Sequence, residues 1–220
     1  MIICGLDLSM NGSGLVKLEL DDDLNVVNTD RMGFCSVKKH SNDTDIHLFK
    51  KKDYVHRYHS SVWMIDKIKK FVADADFVAV EDYAFGANGN VFDIGEFIGQ
   101  VKLEIFNMNI PIRLYDPNSI KKHASGKGNC DKITMYDSYV SFAGMKPDLS
   151  DVPEPVRGSG ISPTSDIVDA FYIATLLQLE LQLRKGIIAL RDITDDDRSI
   201  FNRVTKARPV NLLDSDFIKK

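Results

Sequence analysis

The sequence predicts an α/β domain whose mixed sheet has five strands, the first three of them antiparallel, with helices on both faces. Two observations support this class. The N-terminal part contains apolar runs separated by short polar or glycine-containing turns, and the remainder alternates helical patterns with short strands of the buried type. With 220 residues, the chain is long enough to bury a full core without disulfides or a structural metal.

The first three strands are predicted from apolar runs at 1–9, 14–20 and 24–35. The first connection, Asn11–Gly14, is predicted to be a tight turn that uses the tolerance of glycine for positive φ. The second connection, Asp21–Asp23, is a polar turn. Together these segments predict an antiparallel meander.

The basic segment at 36–52 has no clear period and predicts a loop. Helices and strands then alternate, and loops are predicted at 83–90, 124–129 and 145–160. The predicted elements are a helix over 53–73, a strand over 77–81, a helix over 91–107, a strand over 110–115, a helix that starts at 116–119, a helix over 131–143 and a last helix over 163–184.

The C-terminal end has a mixed composition after Gly186. We expect one domain over residues 1–185 and an extension of unknown role over 186–220. Within the extension, Ile187–Leu190 is either a strand or a continuation of the preceding helix, and Asp195–Arg208 predicts a charged helix.

Composition indicates a soluble globular protein, with 44% apolar and 27% charged residues and a net charge of −4. The 3 cysteines form no CxxC pair, which favours a reducing compartment over a disulfide framework or a zinc site. No apolar run approaches the roughly 20 residues that cross a bilayer, and the opening residues lack the features of a signal peptide. We therefore expect an intracellular, cytoplasmic protein with no membrane contact.

Charge is distributed unevenly along the chain. Residues 31–70 hold 10 Lys or Arg against 4 Asp, whereas residues 133–170 hold 6 acidic against 2 basic residues. Such asymmetry can mark a polyanion-binding face beside an acidic centre. On composition alone, a solvated surface with scattered charges remains the favoured interpretation.

Four acidic residues stand out by their context. Asp7 and Glu81 lie on apolar strands that are expected to be central, and aspartate is disfavoured in strands. Asp166 and Asp169 are three residues apart, so they share one face of the last long helix. Asp166 alone could be a helix cap, but Asp169 lies further into a mainly apolar helix.

Clustered carboxylates are the ligands that hold Mg²⁺ in proteins, and two such ions can activate water and stabilise the leaving oxygen of a phosphodiester. The four acids therefore support the hypothesis of a two-metal nuclease site. In the alternative interpretation, two of them cap a helix and two end strands. The acids alone leave both interpretations open.

A glycine-containing segment from Lys121 to Lys132 favours phosphate chemistry. It is no Walker loop, because Gly126-Lys127 lacks the upstream glycine and the following Ser or Thr. Gly126 and Gly128 would let the backbone approach phosphate, while lysines that include Lys122 and Lys127 would supply positive charge. A flexible surface turn is the alternative interpretation of the glycines.

With these motifs in order, the chain resembles the RuvC family of Holliday-junction resolvases, in the ribonuclease H-like superfamily. In that family, two glycines and a second lysine follow a first lysine at the spacings that Gly126, Gly128 and Lys132 have after Lys121 here. The resemblance covers roughly residues 1–184. The matching features are Gly5-Leu-Asp7-Leu-Ser with Gly12 and Gly14, Val80-Glu81, Gly95-x-x-x-Gly99, the segment Lys121 to Asp131-Lys132, and Asp166-x-x-Asp169-Ala170.

The resemblance implies a ribonuclease H-like fold and an endonuclease that cuts four-way DNA junctions as a homodimer. It implies two Mg²⁺ per active site, with Mn²⁺ as a substitute. It also implies an aromatic side chain that probes the junction, either Tyr83 or Phe85. The implied metal ligands are Asp7, Glu81, Asp166 and Asp169, and the implied phosphate contacts are Lys121 and Lys132.

Segments 36–60 and 145–160 and the C-terminal tail are departures from the family pattern, and they leave substrate preference and dimer contacts open. A phage or virus would suit as the source. A related nuclease for other branched DNA or RNA, and a junction-binding protein without activity, remain alternatives. Actin-like ATPases share the opening strand and turn but need a second domain that 220 residues do not supply.

Overall fold

The computed structural model describes residues 1–10, 12–35, 46–48, 54–82, 91–155, 161–201 and 217–218. No helix among these residues is long and apolar enough to cross a membrane.

One mixed sheet forms the centre of the molecule, with the order β4-β3-β2-β1-β5-β6. Strands β1, β2 and β3 are antiparallel, and β5 and β6 run parallel to β1. This arrangement confirms the predicted mixed sheet with its antiparallel first three strands. The strands are β1 Ile2–Asp7, β2 Gly12–Leu20, β3 Val26–Cys35, β4 Ile46–Leu48, β5 Phe77–Glu81 and β6 Ile112–Tyr115.

Strand β4 lies within the segment 36–52, which the sequence predicts as a loop. It pairs in parallel with the end of β3 and adds a sixth strand at the sheet edge. With 3 residues, β4 is too short to show the alternation by which strands are recognised.

Helices cover both faces of the sheet, as the sequence predicts. Helices α1 and α2 pack on one face, and α5 packs on the other face against β1 and β2, together with α3, α4 and α6. The helices are α1 Tyr54–Phe71, α2 Val91–Asn107, α3 Pro117–Ser125, α4 Lys132–Ser141, α5 Thr164–Arg184 and α6 Asp195–Phe201.

The connection between β1 and β2 differs from the predicted glycine turn. Strand β2 begins at Gly12, and the positive-φ glycines of the described chain are Gly126 and Gly186. Gly12 and Gly14 are therefore strand residues. Their lack of a side chain serves close packing, as described below.

Strand β3 begins at Val26, two residues later than predicted. Leu24 belongs to the preceding turn and has a φ of 60°. Its apolar side chain is nevertheless fully buried, so the hydrophobic pattern continues through a residue whose backbone is not extended.

Helix α5 ends in a Schellman motif. The Gly186 N–H donates to the Leu183 carbonyl and the Ile187 N–H donates to the Gln182 carbonyl, with Gly186 at a φ of 70°. Because this motif closes the helix, Ile187–Leu190 neither continues α5 nor forms a strand. A short 3₁₀ turn, Leu190–Asp192, follows.

Parts of the C-terminal extension pack against the rest of the domain. Ile200 and Phe201 on α6 are buried in the core on the α5 face. The backbone of Ile218 exchanges two hydrogen bonds with Ile112 on β6, each 2.8 Å long. The predicted helix ends at Phe201 as far as it is described, and 202–208 lies outside the described residues.

Candidate active site

Asp7 and Glu81 end two neighbouring parallel strands, β1 and β5. The register pairs Leu6 with Val80, so the two acids lie side by side at the carboxyl edge of the sheet. Side chains alternate between the faces of a strand. Because Gly5 contacts α5 and precedes Asp7 by two residues, Asp7 faces α5 as well.

Three glycines bring α5 into contact with this edge. A β-carbon at Gly5 would lie 2.2 Å from the Ala170 carbonyl oxygen, and one at Gly14 would lie 2.0 Å from the Asp166 carbonyl oxygen. Gly12 approaches the same helix end, where a β-carbon would lie 2.6 Å from the Asp166 carboxylate. Since Gly14 pairs with Asp7 in the sheet, this close approach brings the start of α5 next to Asp7.

Lys132 links the two acids of α5. It is the first residue of α4, where the Asp131 side chain caps the helix by accepting the Thr134 N–H. Its Nζ lies 3.3 Å from Asp166 Oδ1 and 3.2 Å from Asp169 Oδ2. Burial opposes the charged form of Lys132, but the nearby carboxylates outweigh burial and raise its pKa.

The acids perturb one another strongly. Burial, followed by repulsion from Glu81, Asp169 and Asp166, holds the pKa of Asp7 well above its ordinary range. Burial and repulsion from Asp169 raise the pKa of Glu81 to about 7, although Lys132 and Lys121 oppose the rise. Burial likewise raises the pKa of Asp169, against the attraction of Lys132. Four carboxylates from distant parts of the chain thus share one electrostatic environment.

Ser162 contacts the Asp166 carboxylate oxygen other than the one nearest Lys132. Its hydroxyl donates a 2.5 Å hydrogen bond to Asp166 Oδ2, and its carbonyl accepts a contact from the Cys35 thiol at 3.4 Å. A β-carbon at Gly12 would lie 2.2 Å from Ser162 Oγ. The conformation of Asp166 is therefore fixed by a hydroxyl, an ammonium group and the space left by a glycine.

The lysines predicted to contact phosphate or DNA lie in different places. Lys121 on α3 lies close enough to Glu81 and Asp169 for its charge to oppose the rise of their pKa values. Lys122, the next residue, has its Nζ 3.6 Å from Asp196 on α6. Lys127 is exposed in the loop that follows α3.

The aromatic candidates Tyr83 and Phe85 lie outside the described residues.

The donor set suits a hard divalent cation, because all four candidate ligands are carboxylates. Within the part of the chain that the structure describes, however, no group of three or more potential ligands converges closely enough to form a metal site. The Lys132 ammonium group lies against two of the carboxylates. Metal binding would therefore require side-chain rotation and withdrawal of Lys132.

Sequence reasoning missed Ser162 and the packing role of the glycines. Ser162 precedes Asp166 by one helical turn, and this spacing was the only local signal for the contact. The glycine contacts join segments more than 150 residues apart in the sequence, such as Gly14 and Asp166. No local pattern encodes such a contact.

Comparison with solved structures identifies the fold. Thermus thermophilus RuvC aligns with a TM-score of 0.55 at 16% identity, covering 84% of this chain and 96% of that one. RuvC from the same organism in complex with a Holliday junction substrate aligns with a TM-score of 0.52 at 18% identity, over 85% and 97% of the two chains. The fowlpox virus Holliday junction resolvase gives a TM-score of 0.40 at 12% identity, over 82% and 99%.

No protein-family model matches the sequence. No curated protein matches it either. The similarity is one of three-dimensional fold. The chain has the RuvC-like α/β fold of the ribonuclease H-like class.

Proposed function

We propose that the protein is a Mg²⁺-dependent endodeoxyribonuclease that resolves four-way DNA junctions by paired, symmetric phosphodiester hydrolysis. The observation that carries this proposal is the meeting of Asp7, Glu81, Asp166 and Asp169 at one edge of the sheet, where burial and repulsion raise the pKa values of Asp7, Glu81 and Asp169. Burying four mutually repelling carboxylates is unfavourable for folding, and a site for divalent cations explains why they are together. The fold shared with RuvC in complex with a Holliday junction substrate supports the choice of DNA.

In this proposal, the four carboxylates hold two Mg²⁺, with Mn²⁺ as a substitute. When bound, the ions would supply activation of the attacking water and stabilisation of the leaving oxygen. Lys132 leaves the carboxylates and, with Lys121, neutralises the charge of the phosphate near the cut. Hydrolysis would give a 5′ phosphate and a 3′ hydroxyl.

DNA contacts outside the acids are proposed for Lys122 and Lys127, which would attract phosphate. Tyr83 or Phe85 would stack on bases at the junction.

We also propose a homodimer, because two-fold symmetry would place two active sites on opposed strands of a four-way junction. The outer surface formed by α1 and α2 supports this assembly, since Val62 is 66% exposed and Leu103 is 59% exposed. Sedimentation of the purified protein tests it. A monomer that stays monomeric on a junction would contradict paired cleavage.

The proposed compartment is the cytoplasm. All three cysteines are buried and free, which fits a reducing environment.

The deciding experiment incubates the protein with labelled four-way junctions, flaps, linear duplexes and RNA–DNA hybrids, in Mg²⁺ or in EDTA. We expect paired symmetric nicks on the junction, no cleavage in EDTA, and no cleavage by Asp169→Asn although it still binds the junction. Asp137→Asn is the matched control, since it removes one exposed carboxylate from the surface of α4.

Equal cleavage of linear duplex or RNA hybrid would contradict junction selectivity and favour a related nuclease. If the wild-type protein cuts none of the substrates, the enzyme proposal is wrong. A protein that binds junctions without cutting would favour the alternative of a non-catalytic junction-binding protein.

A further inference from the structure

Helix α6, in the C-terminal extension, is held firmly against α3. Ile200 and Phe201 insert into the core. The Asp197 carboxylate lies 2.7 Å from His123 Nδ1, and His123 Nε2 lies 3.1 Å from Thr175 Oγ1 on α5. The apolar residues of α6 are thus buried, and Asp197, one of its three consecutive aspartates, has a partner in His123.

The other two aspartates differ in their surroundings. Asp195 pairs with Arg198 of the same helix, and its side chain is 94% exposed. Asp196 instead extends toward α3, where its carboxylate lies 3.6 Å from Lys122 Nζ. This separation is beyond a hydrogen bond, and both side chains contact solvent, so the pair is loose.

A cavity of about 440 Å³ opens beside this ion pair, between α3, the loop that follows it and α6. Its lining includes the Lys122 side chain, the hydroxyl-bearing Ser119 and Ser199, and the backbone of Gly126. The Asp196 carboxylate approaches Gly126 so closely that a β-carbon there would lie 2.9 Å from Oδ2. The Ser119 and Ser199 hydroxyls donate to the Asp116 carboxylate and the Asp196 carbonyl, and the Gly126 N–H donates to the Lys122 carbonyl. The cavity therefore offers the Lys122 ammonium group to a phosphate, and here a carboxylate lies next to it.

We propose that this cavity is a second binding site for a phosphate of the DNA backbone, and that Asp196 is an internal competitor that pairs with Lys122 until the phosphate displaces it. The proposal rests on the proposed function, since it takes DNA as the ligand. It assigns a role to the C-terminal extension: α6 lowers affinity for unselected DNA by requiring each strand to break the Asp196–Lys122 pair.

The position of the cavity suits a strand that crosses the active site. Lys121 and Lys122 are consecutive on α3, and the charge of Lys121 acts on Glu81 and Asp169. One helix therefore presents one lysine to the acids and the next lysine to the cavity. In this proposal, a strand with one phosphate near the acids places another phosphate at Lys122.

The test compares two variants that remove the same charge from the same turn of α6. Asp196→Asn and Asp195→Asn are each assayed by fluorescence anisotropy with a labelled four-way junction and a labelled linear duplex, in EDTA so that no cleavage occurs. We expect Asp196→Asn to bind both DNAs at least threefold more tightly than Asp195→Asn. For Asp196→Asn, the slope of log Kd against log salt concentration should also be steeper, by the amount expected for about one additional phosphate contact.

Adding Lys122→Gln to Asp196→Asn should abolish the gain. Equal affinities of Asp195→Asn and Asp196→Asn would overturn the proposal, because the effect would then be one of net charge. So would a gain that survives Lys122→Gln, or absence of DNA binding by every variant. If the wild-type protein binds DNA but cuts no junction, the proposed function fails. The ratio of the Kd values of Asp195→Asn and Asp196→Asn for linear duplex still decides the role of Asp196.

Discussion

At the scale of the residue, Asp7 is an acidic side chain at the end of the buried strand β1. Its side chain faces three other carboxylates, and burial together with their repulsion raises its pKa well above the ordinary range. Because the metal-free fold disfavours the charged form of Asp7, this residue lowers the stability of that fold. The proposed metal ions would account for Asp7 at this position, because a bound cation favours the ionised carboxylate.

We predict that Asp7→Asn abolishes Mg²⁺-dependent cleavage and raises the free energy of unfolding in EDTA by about 1–3 kcal/mol, since it removes one repelling carboxylate. Urea denaturation with and without Mg²⁺ measures the second effect. Asp22→Asn, in an exposed turn, should change neither quantity. A destabilised Asp7→Asn protein in EDTA would contradict this interpretation of the acidic cluster.

Ser162 is a positioning residue, because it acts through Asp166 rather than on the substrate. We predict that Ser162→Ala weakens Mn²⁺ binding about fivefold, the effect of one lost hydrogen bond to a carboxylate. Electron paramagnetic resonance of free Mn²⁺ provides a readout that is independent of cleavage. Ser162→Thr should retain most of the affinity because it keeps the hydroxyl. Ser150→Ala, which removes a hydroxyl bound to exposed Asp148, should leave Mn²⁺ binding unchanged.

At the scale of the element, the contact of α5 with β1 and β2 builds the site. Helix α5 can deliver two acids to the sheet edge only because strand glycines let its backbone come within van der Waals distance. At Gly14, a β-carbon would collide with the Asp166 carbonyl carbon at 2.1 Å and the Ile167 nitrogen at 2.4 Å. These are backbone atoms, so a rotamer change cannot relieve the clash.

We predict that Gly14→Ala lowers the free energy of unfolding by about 3 kcal/mol or more, as strongly overpacked cores do. Gly186→Ala should cost only about 1 kcal/mol, because that glycine has a positive φ but nothing within 4 Å of an added β-carbon. Urea midpoints of the two variants give the comparison. Equal losses would contradict the prediction, because the clash with α5 would then cost no more than the strained φ of an alanine at position 186.

The same elements show what sequence patterns can predict. The buried runs of β1 and β5 and the helical faces of α2 and α5 are local signals, so the sheet and its acidic strand ends could be predicted. The sequence predicts a turn at Gly12, which begins β2, because a glycine that admits a neighbouring helix and a glycine in a turn look alike in the sequence. Strand β4 is too short to show an alternating pattern, and a serine four residues before an aspartate is no specific signal of a hydrogen bond between them.

At the scale of the whole molecule, α5 joins the active site to the opposite side of the domain. Its N-terminal end carries Asp166 and Asp169, whereas further along it the fully buried Glu180 accepts hydrogen bonds from Arg113 at 2.9 Å and from Tyr115 at 2.7 Å on β6. That buried charge is fully paired, but the acids at the other end share mainly Lys132. The negative charge at one end of α5 is therefore compensated by its partners, whereas the repulsion among the acids at the other end is not.

This imbalance predicts how the stability of the metal-free protein depends on pH. Asp7, Glu81 and Asp169 all have pKa values above their ordinary range, with Glu81 raised from 4.5 to about 7. At a pH between the ordinary and the raised pKa of each group, the folded state therefore binds more protons than the unfolded state. Proton linkage then requires the free energy of unfolding to fall as the pH rises through that range.

We predict that the free energy of unfolding in EDTA, measured by urea denaturation, falls between pH 5 and pH 8, with a contribution of about 3 kcal/mol from Glu81 alone. Glu81→Gln removes this titration and should flatten the fall, whereas Glu104→Gln, in a surface pair with Lys69 at 2.5 Å, should not. Identical pH profiles for wild type and Glu81→Gln would show that repulsion at the sheet edge does not govern the stability of the metal-free fold.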